Sequence, residues 1–191
     1  MSQIRVVIAD DESIIRMDLK ELLEEMGHQV VGEAADGRTA VELTRSLKPD
    51  VVIMDIKMPI MDGLDAAKAI SEEKIAPVVL LTAYSQKDLI ERAKDAGVFA
   101  YIVKPFQESD IMPAIEIAVS RYLEIQEKDD AIGDLEQKLE TRKIVDKAKG
   151  ILMDKYSMSE AEAFKRIQQQ SMNQRRPMKE IAEAILIAHE I

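Results

Sequence analysis

Ile4-Arg5-Val6-Val7-Ile8-Ala9-Asp10-Asp11 decides how the first part of this chain is read. The run is too short for a typical helix, rich in Val and Ile, and stops on two acids. The pattern returns three times: Val51 to Met54 stops on Asp55, Val78 to Leu81 on Thr82, and Tyr101 to Val103 on Lys104. Near-continuous apolar runs of this length, separated by helix-patterned segments, read as parallel strands buried on both faces. In an open α/β sheet, ligands bind in the crevice beyond the carboxyl ends of the strands. Three acids, a hydroxyl and a lysine are therefore expected to converge on one surface point, although they span most of the first 105 residues.

Working outward, strand and helix alternate five times over the first ~120 residues, which predicts a parallel sheet covered by helices and joined by right-handed crossovers. A helix is expected from about Ser13 to Met26, where Leu19, Leu22, Leu23 and Met26 keep helical spacing and Gly27 ends it. A strand follows at Val30 to Ala34, and Asp36-Gly37 turns into a helix ending near Leu47. Lys48-Pro49-Asp50 introduces the third strand, and helices near 64–73 and 86–96 flank the fourth, with Gly97 closing the latter.

A fifth helix is expected after Ser109 and does not stop where a domain should. Ile111, Ile115, Ala118, Tyr122, Ile125, Ile132, Leu135 and Leu139 keep a 3–4 spacing, broken at Asp129 and weakened by Gly133. This predicts one long helix or a short coiled coil, with pairing in a dimer favoured over an exposed linker. The last ~50 residues read as three helices. The first runs to about Tyr156. Ser159-Glu160-Ala161-Glu162 is a capping-box sequence opening the second, through about Met172. Residues 173–177 break the chain before a helix carrying Ile181, Ala182, Ile185 and Leu186. Gly150 in mid-helix suggests close packing, while Phe164 and Ala182 read as core. So small a unit has little core of its own and is expected to lean on the linker or a partner.

Composition narrows the classes. Apolar residues make up 47% of the 191, yet no stretch approaches the ~18 consecutive apolar residues of a membrane span. Cysteine is absent, excluding disulfides and thiolate metal sites. A strand beginning at Ile4 leaves no room for a leader peptide, so a cytoplasmic location and no membrane partner are expected. Of the net charge of −10, residues 141–191 contribute +3, from ten Lys/Arg against seven Asp/Glu, and residues 1–140 contribute −13. Only the tail suits nucleic acid. His28 and His189 are isolated, and surface positions are expected for both.

The strand-end set suits phosphoryl chemistry. A carboxylate is a useful phosphoryl acceptor when a hard divalent cation neutralises charge on both reacting partners. Mg²⁺ prefers oxygen ligands and keeps several waters. Asp11 and Asp55 would supply carboxylates, the Lys57 main-chain carbonyl a third oxygen, and Asp10 would act through water. Lys104 and the Thr82 hydroxyl would each meet a phosphoryl oxygen. Asp55, ending the central strand, is the candidate nucleophile.

Asp10-Asp11, Asp55, Met58-Pro59-Ile60-Met61-Asp62-Gly63, Thr82-Ala83 and Tyr101-Ile102-Val103-Lys104-Pro105 together resemble the receiver domain of bacterial response regulators. The resemblance covers about residues 3–120 and departs at no pocket position. It implies a flavodoxin-like, doubly wound five-stranded sheet of order 2-1-3-4-5, a receiver domain over 1–120, and a sensor histidine kinase that phosphorylates Asp55 with Mg²⁺. It further implies that Thr82 and Tyr101 reorient on phosphorylation, Tyr101 turning inward, and that Lys57 and Tyr84 influence phosphoryl lifetime.

The tail adds a second resemblance. Thr141-Arg142-Lys143-Ile144-Val145-Asp146-Lys147-Ala148-Lys149-Gly150-Ile151-Leu152-Met153, then Ser159 to Phe164, then Arg175-Arg176-Pro177-Met178-Lys179-Glu180-Ile181-Ala182, is similar to the ANTAR domain, the antiterminator module of the AmiR and NasR type. The whole chain looks like the actinobacterial regulators joining the two. That implies a helical linker over 121–140, an RNA-binding domain over 130–191, and binding to hairpin loops of leader transcripts, with a homodimer through the linker helix on phosphorylation. Lys143, Lys147, Arg166, Arg175, Arg176 and Lys179 are the candidate RNA contacts, suited to phosphates, and Gln170 or Asn173 could add polar readout. The alternative is a DNA-binding regulator, since Lys179 to Ala182 resembles the start of a helix-turn-helix, but nine residues are too few for a recognition helix. No Ser/His set, second acidic cluster or nucleotide-binding glycine loop marks the tail as an enzyme.

Overall fold

A computed structural model describes residues 3–83 and 96–189. Five strands, β1 (Arg5–Ala9), β2 (Gln29–Ala34), β3 (Val51–Asp55), β4 (Val78–Thr82) and β5 (Ala100–Val103), form one parallel sheet of order β2-β1-β3-β4-β5. Helices α1 (Ser13–Glu25), α2 (Gly37–Leu47) and α3 (Gly63–Glu72) lie between the strands. The helix expected near 86–96, and Tyr84, lie outside the described residues.

Side-chain alternation explains the two-layered cover. Val6, Ile8, Val51, Ile53, Val79 and Leu81 face one core with Leu19 and Leu23 of α1. The next residues along, Val7, Ala9, Val52, Met54, Val78 and Leu80, face the other, with Ala40 and Val41 of α2 and Leu64, Ala67 and Ile70 of α3. Successive strand side chains point to opposite faces, so a run that is apolar throughout needs a helix on each.

The next helix, α4, is continuous over Glu108–Tyr156. Its start packs Ile111, Ala114, Ile115 and Ala118 against the α1 face of the sheet. The break in apolar spacing at Asp129 and Gly133 does not interrupt it, as expected of one long helix, because neither residue prevents intrahelical hydrogen bonding and glycine's propensity cost of ~1 kcal/mol is spread over a long helix. Helices α5 (Glu160–Gln174) and α6 (Met178–His189) complete the chain. Ser159 and Glu162 make the expected capping box, and Arg175 ends α5 in the left-handed conformation at φ 52°.

The chain divides into two compact units, 1–126 and 127–191. The second has a core of Val145, Ala148, Leu152, Ala163, Ile167, Ile181 and Ala182. Ala182 is buried as expected, but Phe164 is 43% exposed: one position along from Ala163, it falls outside the α5 stripe that carries Ala163 and Ile167. Gly150 is not a packing contact either, since a Cβ there would meet nothing within 4 Å. His28 is buried rather than on the surface. Its Nδ1 accepts from the Ile4 N–H at 3.5 Å and its Nε2 lies 3.2 Å from Met112 Sδ.

Candidate functional site

The parallel register brings the strand ends level. Ala9 pairs with Met54 and Asp55 with Leu81, so Asp10, Asp55 and Thr82 leave the sheet side by side. All three are buried. Lys104 follows β5, its N–H donating to the Thr82 carbonyl at 2.7 Å, and the Lys104–Pro105 peptide is cis. The Lys104 Nζ sits between two carboxylates, 2.6 Å from Asp10 Oδ2 and 2.7 Å from Asp55 Oδ1.

Each carboxylate is held a second time. Asp55 Oδ2 accepts the Lys57 N–H at 2.7 Å, and Asp10 Oδ1 accepts the Glu12 N–H at 2.9 Å. Burial pushes the Asp55 carboxyl above its ordinary range, more than the Lys104 hydrogen bond and charge pull it down, with Asp10 adding to the upward push. Burial works against the Lys104 cation, yet the hydrogen bonds it donates to Asp10 and Asp55 carry its pKa above the ordinary lysine value. The result is a carboxylate poorly solvated by water and adjoined by a firm cation.

Two glycines in contact with the β3–α3 loop allow this approach. A Cβ on Gly63 would lie 2.0 Å from the Asp55 carbonyl oxygen, and one on Gly37 would lie 2.4 Å from the Met61 carbonyl oxygen. Asp62 caps α3 by accepting the Asp65 N–H at 2.8 Å. The Met58-to-Gly63 stretch is therefore a spacer that lets α3 start against the back of Asp55.

Asp11 and Lys57 are exposed at the same end of the sheet, and Tyr101 on β5 is 47% exposed. The sequence reading missed Arg16. Its Nη1 donates to the Asp10 carbonyl at 2.5 Å, so α1 grips the turn that carries both leading acids, and its buried Nε has no partner. The Nη1 partner is a main-chain carbonyl, which leaves no signal in the sequence.

The donor chemistry suits Mg²⁺. Asp10 and Asp55 set two buried carboxylates about the Lys104 ammonium, and Asp11 is exposed on the adjoining turn, so the hard oxygens there are of the type that Mg²⁺ takes. Among the described residues, no three acidic or imidazole side chains are gathered into a preformed metal cluster, and the Lys104 ammonium lies between Asp10 and Asp55.

The candidate RNA contacts do not share one environment. Lys143, Lys147, Arg166 and Arg175 are exposed. Arg176 is ion-paired with Glu180 at 2.7 Å and Lys179 lies 4.0 Å from Glu183, each along α6. Helix α6 runs unbroken from Met178 to His189, so Lys179 to Ala182 is not followed by the turn of a helix-turn-helix.

Sheet order, strand-end acids and bridging lysine define a receiver. The family model of the response regulator receiver domain matches residues 6–116, and that of the ANTAR domain matches residues 133–186. The transcriptional regulatory protein PdtaR of Mycobacterium tuberculosis is 56% identical over 182 residues, covering 95% of this chain and 89% of PdtaR. The chemotaxis protein CheY of Thermotoga maritima is 44% identical over 112 residues, 58% of this chain and 93% of CheY. The signal receiver domain of NarL from Mycobacterium tuberculosis superposes with a TM-score of 0.60 at 30% identity, over 63% of this chain and 98% of that one. The chain belongs to the two-component response regulators that join a receiver to an ANTAR domain and regulate transcription by antitermination. Among the described residues, no helix is long and apolar enough to cross a membrane.

Proposed function

We propose that Asp55 is the phosphoacceptor and that its phosphorylation controls RNA binding by the C-terminal helices. The observation that carries the first half is the Lys104 ammonium bridging Asp10 and Asp55 at the ends of three strands. An oxygen of Asp55 attacks the phosphorus of a phosphohistidine on a sensor kinase. The O–P bond forms as the N–P bond breaks, and the imidazole nitrogen keeps the electron pair. Lys104 takes up negative charge on the incoming phosphoryl oxygens, and the Thr82 hydroxyl donates to another. Asp11, Asp55 and the Lys57 carbonyl would hold Mg²⁺, with Asp10 acting through water. When bound, the ion neutralises charge shared by carboxylate and phosphoryl.

The added phosphoryl brings about −1.5 to −2 charges and three strong acceptors, enough to bias a two-state element that includes Thr82 and Tyr101. In this reading the receiver spans 1–120, a helical linker 121–140, and the RNA-binding domain 130–191. Phosphorylation favours a homodimer through the linker helix, and the basic tail engages hairpin loops in leader transcripts. Lys143, Lys147, Arg166 and Arg175 make the phosphate contacts, with Arg176 and Lys179 joining by exchanging Glu180 and Glu183 for RNA. The protein acts as a phosphoacceptor switch in the cytoplasm.

Tandem-hairpin RNA titrated against the protein, with and without a small-molecule phosphodonor and Mg²⁺, tests both halves. Tighter binding with the donor, and gain of one phosphoryl by intact-mass measurement, are expected for the wild type and not for Asp55→Asn. Equal, donor-independent binding by the two proteins overturns phosphocontrol.

A further inference from the structure

The C-terminal unit carries an aromatic group that its core does not use. Tyr156 stands one turn beyond Leu152, at the last residue of α4, where the buried stripe of Val145, Ala148 and Leu152 runs out to solvent. The side chain is 52% exposed. Ser157 follows at φ 53°, where the helix has ended.

Two further groups from different helices meet that ring. The Arg166 guanidinium of α5 lies 6.0 Å from its centroid, and the His189 imidazole of α6 lies 5.9 Å away at an interplanar angle of 61°. The first distance is at the outer limit of a cation–π contact, so the guanidinium is not closed down on the ring. Arg166 is exposed and has no carboxylate partner among the described residues, unlike Lys149 or Arg176 in the same unit. A half-exposed phenol ring, a cation free to pair, and an imidazole bracing one edge make a surface that is flat, apolar and electropositive at once. That combination fits a nucleobase attached to a phosphate. Duplex nucleic acid hides its base faces, whereas loop bases can splay out and stack on Tyr, His or Arg planes.

We propose that Tyr156, flanked by Arg166 and His189, is a stacking platform for an unpaired base of the RNA. The inference rests on the RNA-binding reading above and adds which contact reads single-stranded character: the ring takes the base, and Arg166 takes the adjoining phosphate.

The chain has no tryptophan, so Tyr156→Trp in the full-length protein creates a single emitter at the platform. With phosphodonor and Mg²⁺, tandem-hairpin RNA is expected to quench that emission, and a fully paired RNA of the same length is not. Affinity for the hairpin RNA should fall about tenfold or more in Tyr156→Leu, stay near wild type in Tyr156→Phe, and show an unchanged salt slope in both. Arg166→Gln should instead lower the slope by roughly 0.7 to 0.9, one phosphate contact. A thermal melt establishes that Tyr156→Leu is folded; if it is not, the Trp emission alone decides. Hairpin binding with no quenching, or quenching equal for paired RNA or duplex DNA, overturns the platform and leaves RNA binding standing. A wild type that binds no hairpin RNA overturns both.

Discussion

The receiver unit and the C-terminal unit spend their polar groups in opposite ways. In the first, the decisive charges are buried and joined: Lys104, at 14% side-chain exposure, lies between Asp10 at 1% and Asp55 at 11%. In the second, the basic groups are mostly exposed and spread over three helices. A sheet can concentrate residues far apart in sequence because every parallel strand ends on the same side. A three-helix unit with a small core has no row of strand ends to gather charge, and its few inter-helix meetings, such as Tyr156 with Arg166 and His189, lie at the surface. One unit gathers its charges inside, the other displays them.

The largest expected effect breaks the buried set. Lys104→Met leaves two buried carboxylates without their cation, and removing one partner of a buried pair costs about 3–5 kcal/mol. Urea unfolding followed by circular dichroism should show the receiver losing stability on this scale at pH 7, with part of it restored by Mg²⁺. A loss below about 1 kcal/mol would mean that the pocket is wet and its charges screened. The pH sign is checkable in the wild type. Because the Lys104 pKa is raised by its partners, the stability it contributes is present at neutral pH and is lost only as pH rises above the unfolded lysine value of 10.5 towards and through the higher folded value.

In the C-terminal unit the corresponding test is apolar. Ile167 is fully buried in the small core, and Ile167→Ala should cost about 2–4 kcal/mol. For so few buried side chains that is a large part of the unit's stability, so the cooperative melt of α5 and α6 should be lost while the sheet persists. Amide exchange, measured separately for the two units, distinguishes this from general destabilisation.

Asp55→Asn sharpens the contrast from the other side. Its carboxyl is pushed up by burial, so the ionised form opposes folding at neutral pH. The substitution should leave the protein equally or more stable at pH 7. The difference should vanish as pH falls below the ordinary carboxylate value of 3.8, where the group is protonated in both states. Phosphoryl uptake should be abolished at every pH. A stability loss at pH 7 would show that Lys104 needs both acids.

These contrasts explain what could be read from the chain. Strand identity and the strand-end set were legible because a buried parallel strand leaves a run of Val and Ile with a polar residue at its end, while the sheet order followed from the resemblance to receiver domains. The Ser159–Glu162 capping box was legible because a cap is a local hydrogen-bond pattern. Arg16 was not, since its partner is a main-chain carbonyl, which carries no sequence signal. His28 was misplaced for a similar reason: its burial depends on Met112, 84 residues away. Phe164 and Gly150 were misread in the tail, where a narrow apolar stripe leaves the exact facing of each residue open. Local patterns name the elements, and long-range packing decides which side chains are spent on the core.

Glycine offers the smallest effect and the cleanest division. At Gly63 a Cβ would collide with the Asp55 carbonyl at 2.0 Å, and main chain cannot swing aside as a flexible side chain can. Gly63→Ala should therefore displace the start of α3 and disturb the acceptor itself, lowering phosphoryl uptake along with stability. At Gly150 the same added methyl meets nothing within 4 Å, so helix propensity alone decides, and alanine is favoured by roughly 0.8–1 kcal/mol. Gly150→Ala should raise the melting temperature of the C-terminal helices and leave phosphoryl uptake unchanged. If it also weakens hairpin RNA binding, the open space beside Gly150 is where RNA backbone approaches the helix, and the tail would have its own close-contact glycine after all.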